Sequence, residues 1–303
     1  MPPLAKPRAL RPGGTIGIAA PAFPIDPKKL AAGEAMWRRA GFQVRRREDL
    51  LNVDGFLAGD DARRSKELSD LISDPEIDVV VCARGGYGCH RIVSALDARR
   101  VRAARKPLVG YSDITTLLLW QRRCAGLVGF HGPMLGKGDQ QAAEALAALV
   151  SLLSGASAGP VLRGRGCGGG HAEGRLVGGN LVTLVASLGT PWEIDTRGAI
   201  LLFEEIGERP YRIDRLLQQL RAAGKLDAVA GVGVGSLSGC DDSRYPRPSA
   251  EEVVSALVAP LRIPFVVGLP FGHGALNLAW PFGVRGRIDG ELGTVEPLER
   301  AVA

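Results

Sequence analysis

The sequence predicts an α/β protein whose first half is an open parallel sheet with flanking helices. Short apolar runs rich in β-branched residues alternate with longer stretches of helical period about five times before residue 155, the pattern of successive βαβ units. The composition, 46% hydrophobic, 23% charged and 5% aromatic over 303 residues, is that of a folded globular chain and excludes disorder, collagen and coiled coil. This length favours two domains with ample chain for a large core.

Taken in order, Thr15 to Ala20 reads as a strand, Lys28 to Ala40 as a helix, Phe42 to Arg46 as a strand and Ala62 to Ser73 as a helix. The strand Ile77 to Ala83, a helix starting near Cys89, the strand Leu108 to Gly110 and the helix Ile114 to Cys124 follow. Val128 to Phe130 adds a strand and Gln140 to Leu153 a closing helix, which ends a first domain at residue 154. Residues 155–174 shift to Gly, Ala, Ser and Arg, including Gly164-Arg165-Gly166-Cys167-Gly168-Gly169-Gly170, and read as a flexible linker. A second domain, 175–303, reads as helices over Asn180 to Leu188, Pro210 to Ala223 and Ala250 to Leu261. Its strands are Ala199 to Glu204, Val229 to Val234 and Phe265 to Leu269, with shorter β-like pieces to the end.

Several function classes are disfavoured. Every apolar run is cut by Gly, Pro or charge, so no membrane-spanning segment is expected. The start, Met1-Pro2-Pro3-Leu4-Ala5-Lys6-Pro7-Arg8, has no uninterrupted apolar stretch after its charges, which argues against a secretory signal and for the cytoplasm. The five cysteines are an odd number, widely spread, and read as reduced thiols. Cys82, Cys89 and His90 lack the second ligand pair a structural zinc site uses, and no HExxH or facial triad is visible, so no metal is expected. Net charge is +6, from 38 basic and 32 acidic residues. Arg45-Arg46-Arg47 and Arg99-Arg100-Val101-Arg102 read as solvated helix faces, and aromatics are not interleaved with them, so nucleic acid is not the expected partner.

Gly110-Tyr111-Ser112-Asp113-Ile114 places Ser112 on a strand-to-helix turn at the carboxyl edge of the sheet, where α/β proteins carry their chemistry. Taken alone the serine reads more readily as a helix N-cap, and Ile114 stands where the GxSxG elbow has its second glycine. Arg84-Gly85-Gly86-Tyr87-Gly88 lacks the spacing and the Lys-Ser/Thr of a phosphate loop. A glycine N–H serving as an oxyanion donor is the better functional reading, against an ordinary tight turn. Phe203-Glu204-Glu205 ends an apolar strand in two acids that alternation sends to opposite faces, so at most one orients a histidine. His273, between glycines past a strand, and His131, in Phe130-His131-Gly132-Pro133, compete evenly as the base.

These stretches, with Ile18-Ala19-Ala20-Pro21, Gly178-Gly179-Asn180-Leu181, Tyr211-Arg212-Ile213-Asp214-Arg215 and Gly272-His273-Gly274, together resemble the L,D-carboxypeptidase family of serine peptidases. That family comprises the murein tetrapeptide carboxypeptidases and also includes microcin-C immunity hydrolases. The resemblance implies a C-terminal domain with a barrel-like sheet and a Ser-His-Glu triad shared between the domains. Carried over by motif, Ser112 is the nucleophile, His273 the base and Glu204 the acid, with Glu205 in reserve, while the N–H groups of Gly86 and Asp113 form the oxyanion hole. The implied activity is release of the terminal D-alanine from a murein peptide through an acyl-enzyme, without cofactor, in a homodimer. Arg84, Arg209 and Arg212 are candidates by position for the substrate carboxylate, with Arg84 and Arg212 preferred, against the more common reading of arginines in local ion pairs. Rival readings are hydrolysis of aminoacyl-sulfamoyl or phosphoramidate adenylates by the same triad, and ligand binding without catalysis.

Overall fold

A computed structural model describes residues 4–140 and 143–303; residues 141 and 142, inside the helix read over Gln140 to Leu153, lie outside the described residues, as do residues 1–3. The first half runs β1 (Thr15–Ala19), α1 (Pro27–Arg39), β2 (Gln43–Arg45), α2 (Asp61–Ser73), β3 (Val79–Cys82), α3 (Cys89–Ile92), α4 (Ala98–Ala104), β4 (Leu108–Gly110), α5 (Thr115–Trp120), β5 (Gly129–His131) and α6 (Ala143–Leu153). The strands pair in parallel in the order β2-β1-β3-β4-β5. The order reverses between β1 and β3, and open α/β sheets bind ligands beyond the carboxyl ends at such a switch point. Helix starts follow the side chains: the Asp26 carboxylate accepts from Lys28 N at 2.7 Å ahead of Pro27, and that of Asp60 from Arg63 N at 2.7 Å.

The second half runs β6 (Leu162–Arg163), β7 (Arg165–Gly166), β8 (His171–Asn180), α7 (Leu181–Ala186), β9 (Ala199–Ile206), α8 (Pro210–Ala222), β10 (Gly231–Ser238), α9 (Ala250–Val258), β11 (Phe265–Val267), β12 (Trp280–Phe282), β13 (Arg285–Asp289) and β14 (Thr294–Pro297). All but β12 form one sheet in the order β6-β14-β13-β8-β9-β10-β11-β7. Its two edge strands, β6 and β7, are separated in the chain only by Gly164, so the sheet curls round until one short segment serves both edges, which gives it a barrel-like form. β12 leaves this sheet and pairs antiparallel with β5, extending the first sheet with a strand from the second half.

Three expectations change. The glycine-rich segment is built into the sheet, not left as a packing-free linker: it holds β6, β7 and the start of β8, and Leu162 is buried. Its glycines let backbones meet, as where Gly168 N donates to Gly290 O at 2.8 Å. The helix read over Ile114 to Cys124 is composite, a 3-10 turn at Ser112–Ile114, then α5, then a π-turn at Gln121–Ala125 closed by left-handed Gly126. The Arg45-Arg46-Arg47 run, read as a solvated helix face, lies at the end of β2 and in the loop after it, whereas the Arg99-Arg100-Val101-Arg102 run is the helix face expected, α4 with Val101 turned inward and Arg99 and Arg100 exposed.

Helix α2 grips the loops that carry the site. The buried Arg64 guanidinium donates to Pro21 O at 2.6 Å and Gly88 O at 2.9 Å, tying the loops after β1 and β3 together. Beside it, the buried Glu67 carboxylate accepts from Ala20 N at 2.7 Å and from Arg63 at 2.6 Å. Burial outweighs these partners and pushes the Glu67 carboxyl up to about 7 from 4.5. The folded state therefore holds this proton more tightly than the unfolded chain, so the native state is favoured below pH 4.5 and loses that advantage as pH rises to 7. Urea titrations should show the wild type losing about 3 kcal/mol between pH 4.5 and 8 relative to Glu67→Gln. Equal pH slopes for the two proteins would refute this.

Candidate active site

Ser112 has φ 63°, the left-handed region that an L-residue other than Asn or Asp seldom enters. A serine held there on a strand-to-helix turn is not an ordinary N-cap, and no side-chain cap bond forms at this turn. The strain is imposed by tight packing on the loop after β3: a Cβ at Gly85 would lie 2.8 Å from Ser112 Cβ and 3.0 Å from its Oγ, so only glycine fits beside the serine. Asp113, next in the chain, turns its buried carboxylate to accept from Cys89 N at 2.8 Å, just past that loop. Burial raises its pKa while the Cys89 N–H opposes the rise. Through this bond the serine turn and the glycine loop hold each other, and Gly86 N and Asp113 N donate to no acceptor among the described residues.

From the second half, β9 delivers Glu204 and the loop after β11 delivers His273. Glu204 Oε2 accepts from His273 Nδ1 at 2.6 Å and from His273 N at 3.1 Å, which fixes the ring and its tautomer. The loop lies so close that a Cβ on Gly272, itself at φ 96°, would stand 2.5 Å from Glu204 Cγ. Asn277 Oδ1 accepts from Gly272 N at 2.9 Å, and Lys137 reaches from the first half to the carbonyls of Gly274 and Ala275. The Tyr111 ring stands 4.8 Å from the His273 ring, edge to face, which places the imidazole beside the residue preceding Ser112. Glu205 faces the other way: it accepts from Asn180 Nδ2 at 2.9 Å, Val182 N at 2.8 Å and Ile206 N at 2.8 Å, securing the start of α7.

His131 is fully buried, stacked on Trp280 at 4.9 Å and flanked by Phe271 and Tyr111, and neither ring nitrogen has a partner among the described residues. Burial, with His273 beside it, pushes its pKa down to about 3, so it is a neutral wall behind His273. Arg84, beside Gly85, lies over the Phe23 ring at 5.6 Å and spends one N–H on Pro24 O at 3.0 Å. Arg212 pairs with Glu208 at 3.3 Å and Arg209 with Asp242 at 3.5 Å, the local ion pairs weighed as the plain reading. Tyr111, Asn277 and Lys137 went unread in the sequence; only the place of Tyr111 next to Ser112 pointed to a role, since loop-to-loop bonds leave no periodic trace. No group of three or more His, Cys, Asp or Glu side chains among the described residues is placed to hold a metal, and no described helix is long and apolar enough to cross a membrane.

A strained hydroxyl, an imidazole oriented by a buried carboxylate and two unspent N–H groups at the carboxyl edge of an α/β sheet are the groups acyl transfer uses. The fold and site are those of an α/β serine hydrolase. Residues 16–132 match the LD-carboxypeptidase N-terminal domain, and residues 173–288 the LD-carboxypeptidase C-terminal domain. The chain is 38% identical over 306 residues to a probable murein peptide carboxypeptidase of Bacillus subtilis, covering 94% of this chain and 91% of that one. Among solved structures, muramoyltetrapeptide carboxypeptidase from Oxalobacter formigenes superposes with TM-score 0.84 at 29% identity, covering 93% of this chain and 97% of that one. The protein MccF, in complex with glutamyl sulfamoyl guanosine, shares the fold at TM-score 0.89 and 22% identity, covering 98% and 99% of the two chains. The chain belongs to the LD-carboxypeptidase family and is a serine-type carboxypeptidase.

Proposed function

We propose that this enzyme removes the terminal D-alanine from murein tetrapeptides through an acyl-enzyme on Ser112. The observation that carries the reading is the left-handed Ser112 turn set beside an imidazole held at 2.6 Å by a buried carboxylate. His273 takes the Ser112 proton as Oγ bonds to the carbonyl carbon, and Gly86 N and Asp113 N receive the oxyanion. The amide C–N bond then breaks as His273 gives that proton to the departing D-alanine amine. Water, deprotonated by the same imidazole, attacks the ester and restores Ser112. Glu204 holds the tautomer and balances the imidazolium in both halves of the cycle. Among the described residues Ser112 Oγ has no hydrogen-bond partner, so the Ser112–His273 bond closes with substrate in place.

Arg84 is the better candidate for the substrate carboxylate, because it adjoins Gly85 with N–H groups to spare while Arg212 is engaged by Glu208. A role in recycling cell-wall peptides sets the enzyme in the cytoplasm, and the family resemblance supports a homodimer, which sedimentation equilibrium tests. Mass spectrometry of L-Ala-D-Glu-diaminopimelyl-D-Ala incubated with the protein and a chelator should show free D-alanine. A folded protein that releases none would overturn the murein reading and favour aminoacyl-sulfamoyl adenylates, then binding without catalysis.

A further inference from the structure

Release of a C-terminal residue calls for a receptor for its free carboxylate, and the chemistry of the site fixes where that receptor must stand. His273 hands a proton to the amine of the departing residue, and the carboxylate carbon of that residue lies two bonds from the same nitrogen, about 2.5 Å away. The receptor therefore borders the His273 loop. Lys137 stands there: its ammonium donates to Gly274 O and, at 3.3 Å, to Ala275 O, the carbonyls one and two residues beyond His273. Those two acceptors leave the third N–H of the ammonium unspent. Lys137 makes no ion pair among the described residues, and burial lowers its pKa with no acid opposing the fall. A half-buried cation with only carbonyls for partners lacks a counter-charge.

The chain around Lys137 sets it on the same rim as Arg84. Leu135 is buried against α1, where a Cβ on Gly33 would lie 2.7 Å from Leu135 Cγ, and this anchors the 3-10 turn Leu135–Gln140. Gly136 then passes Arg84, since a Cβ on it would lie 3.7 Å from Arg84 Cγ, and Lys137 reaches onward to the His273 loop. Arg84 likewise makes no ion pair among the described residues and spends one N–H on Pro24 O. Two cations without acids thus flank Gly136, one beside the glycine loop and one beside the loop that carries the base. A strap between the two halves would need no charge, because the NH2 of an amide side chain can serve two carbonyls without burying an ion. We propose that Lys137 is a specificity-determining residue that shares with Arg84 the terminal carboxylate of the departing D-alanine. This rests on D-alanine as the leaving group and His273 as the base.

The test compares kcat/KM on L-Ala-D-Glu-diaminopimelyl-D-Ala and on the same peptide ending in D-alaninamide, for the wild type, Lys137→Met and Lys137→Arg. The amide removes the terminal charge and leaves the other carboxylates of the peptide in place. The wild type should favour the acid, and Lys137→Met should lower that preference about 10- to 100-fold, the range for removing one hydrogen bond to a charged group. Lys137→Arg, which keeps a cation there, should hold the ratio nearer to the wild type. The loss should fall mainly in KM, because the carboxylate is charged in the ground state and the transition state alike. D-alanine release by the wild type with a ratio unmoved by Lys137→Met, or with kcat lowered equally on both substrates, overturns the assignment and leaves the carboxypeptidase reading intact, the equal loss marking a strap for the His273 loop. If the wild type releases D-alanine or its amide from neither peptide, the murein reading fails, and calorimetric binding of both peptides to Ser112→Ala, with and without Lys137→Met, decides the assignment. Tighter binding of the acid that Lys137→Met abolishes supports it, and equal or absent binding overturns it.

Discussion

Ser112→Ala is expected to lower kcat on the tetrapeptide by about 10⁴- to 10⁶-fold, leaving the residual rate that an oxyanion site and substrate positioning supply without a nucleophile. Ser112→Gly should be equally inactive, yet more stable than the wild type by about 1 kcal/mol, because glycine adopts positive φ freely where serine at φ 63° is strained. The pair separates two roles of one position. A side chain kept for packing would show stability loss on removal, whereas a strained nucleophile shows activity loss with stability gain. Thermal denaturation and D-alanine release measured on the same preparations decide this. A Ser112→Gly protein that is less stable than the wild type would remove strain from the account, and a Ser112→Ala protein that still turns over would remove the nucleophile.

The parallel sheet of the first half was legible because four of its strands, β1, β3, β4 and β5, are buried on both faces. Such strands read as unbroken runs such as Val79-Val80-Val81-Cys82 between glycines and charges, and β4 matches its expected span. β8 was not legible. Its first residues, His171 to Arg175, are exposed or only partly buried and contain little that is apolar, so they carry the composition of a loop although β13 pairs with all five and β9 joins at Arg175. A sheet that curls on itself needs close backbone approaches, and the glycines that permit these are the same residues that read as linker. Local composition therefore reported chain flexibility where the strand depended on partners more than 100 residues away.

The site divides along the same line. The Ser112 turn and the glycine loop are local strand-to-helix features and stood out in the sequence. Choosing between His131 and His273 needed the third dimension, since both follow strands and both sit among glycines. What separates them is that His273 meets a buried carboxylate while His131 meets only rings. The same limit applied to the two adjacent acids. Both faces of β9 are covered and every residue from Ala199 to Glu205 is buried, so alternation separates Glu204 from Glu205 without saying which face holds the histidine.

Substituting those acids one at a time tests that assignment. Glu204→Gln should cut kcat by about 10³- to 10⁴-fold, because an amide can keep a hydrogen bond to His273 Nδ1 but cannot balance the imidazolium that forms when Ser112 is deprotonated. Its stability should change little, since Glu204 Oε1 has no partner among the described residues and the new NH2 can occupy that place without losing a bond. Glu205→Gln should behave in the opposite sense. It exchanges a carboxylate that accepts from Asn180, Val182 and Ile206 for an amide whose NH2 must face one of those donors, costing about 1–3 kcal/mol at the start of α7. Its kcat should stay within about tenfold of the wild type, because no bond links Glu205 to His273. The two effects on two axes are what opposite faces of one strand require. If Glu205→Gln is the variant that loses turnover while Glu204→Gln retains it, the imidazole is being oriented from the other face and the assignment of Glu204 fails.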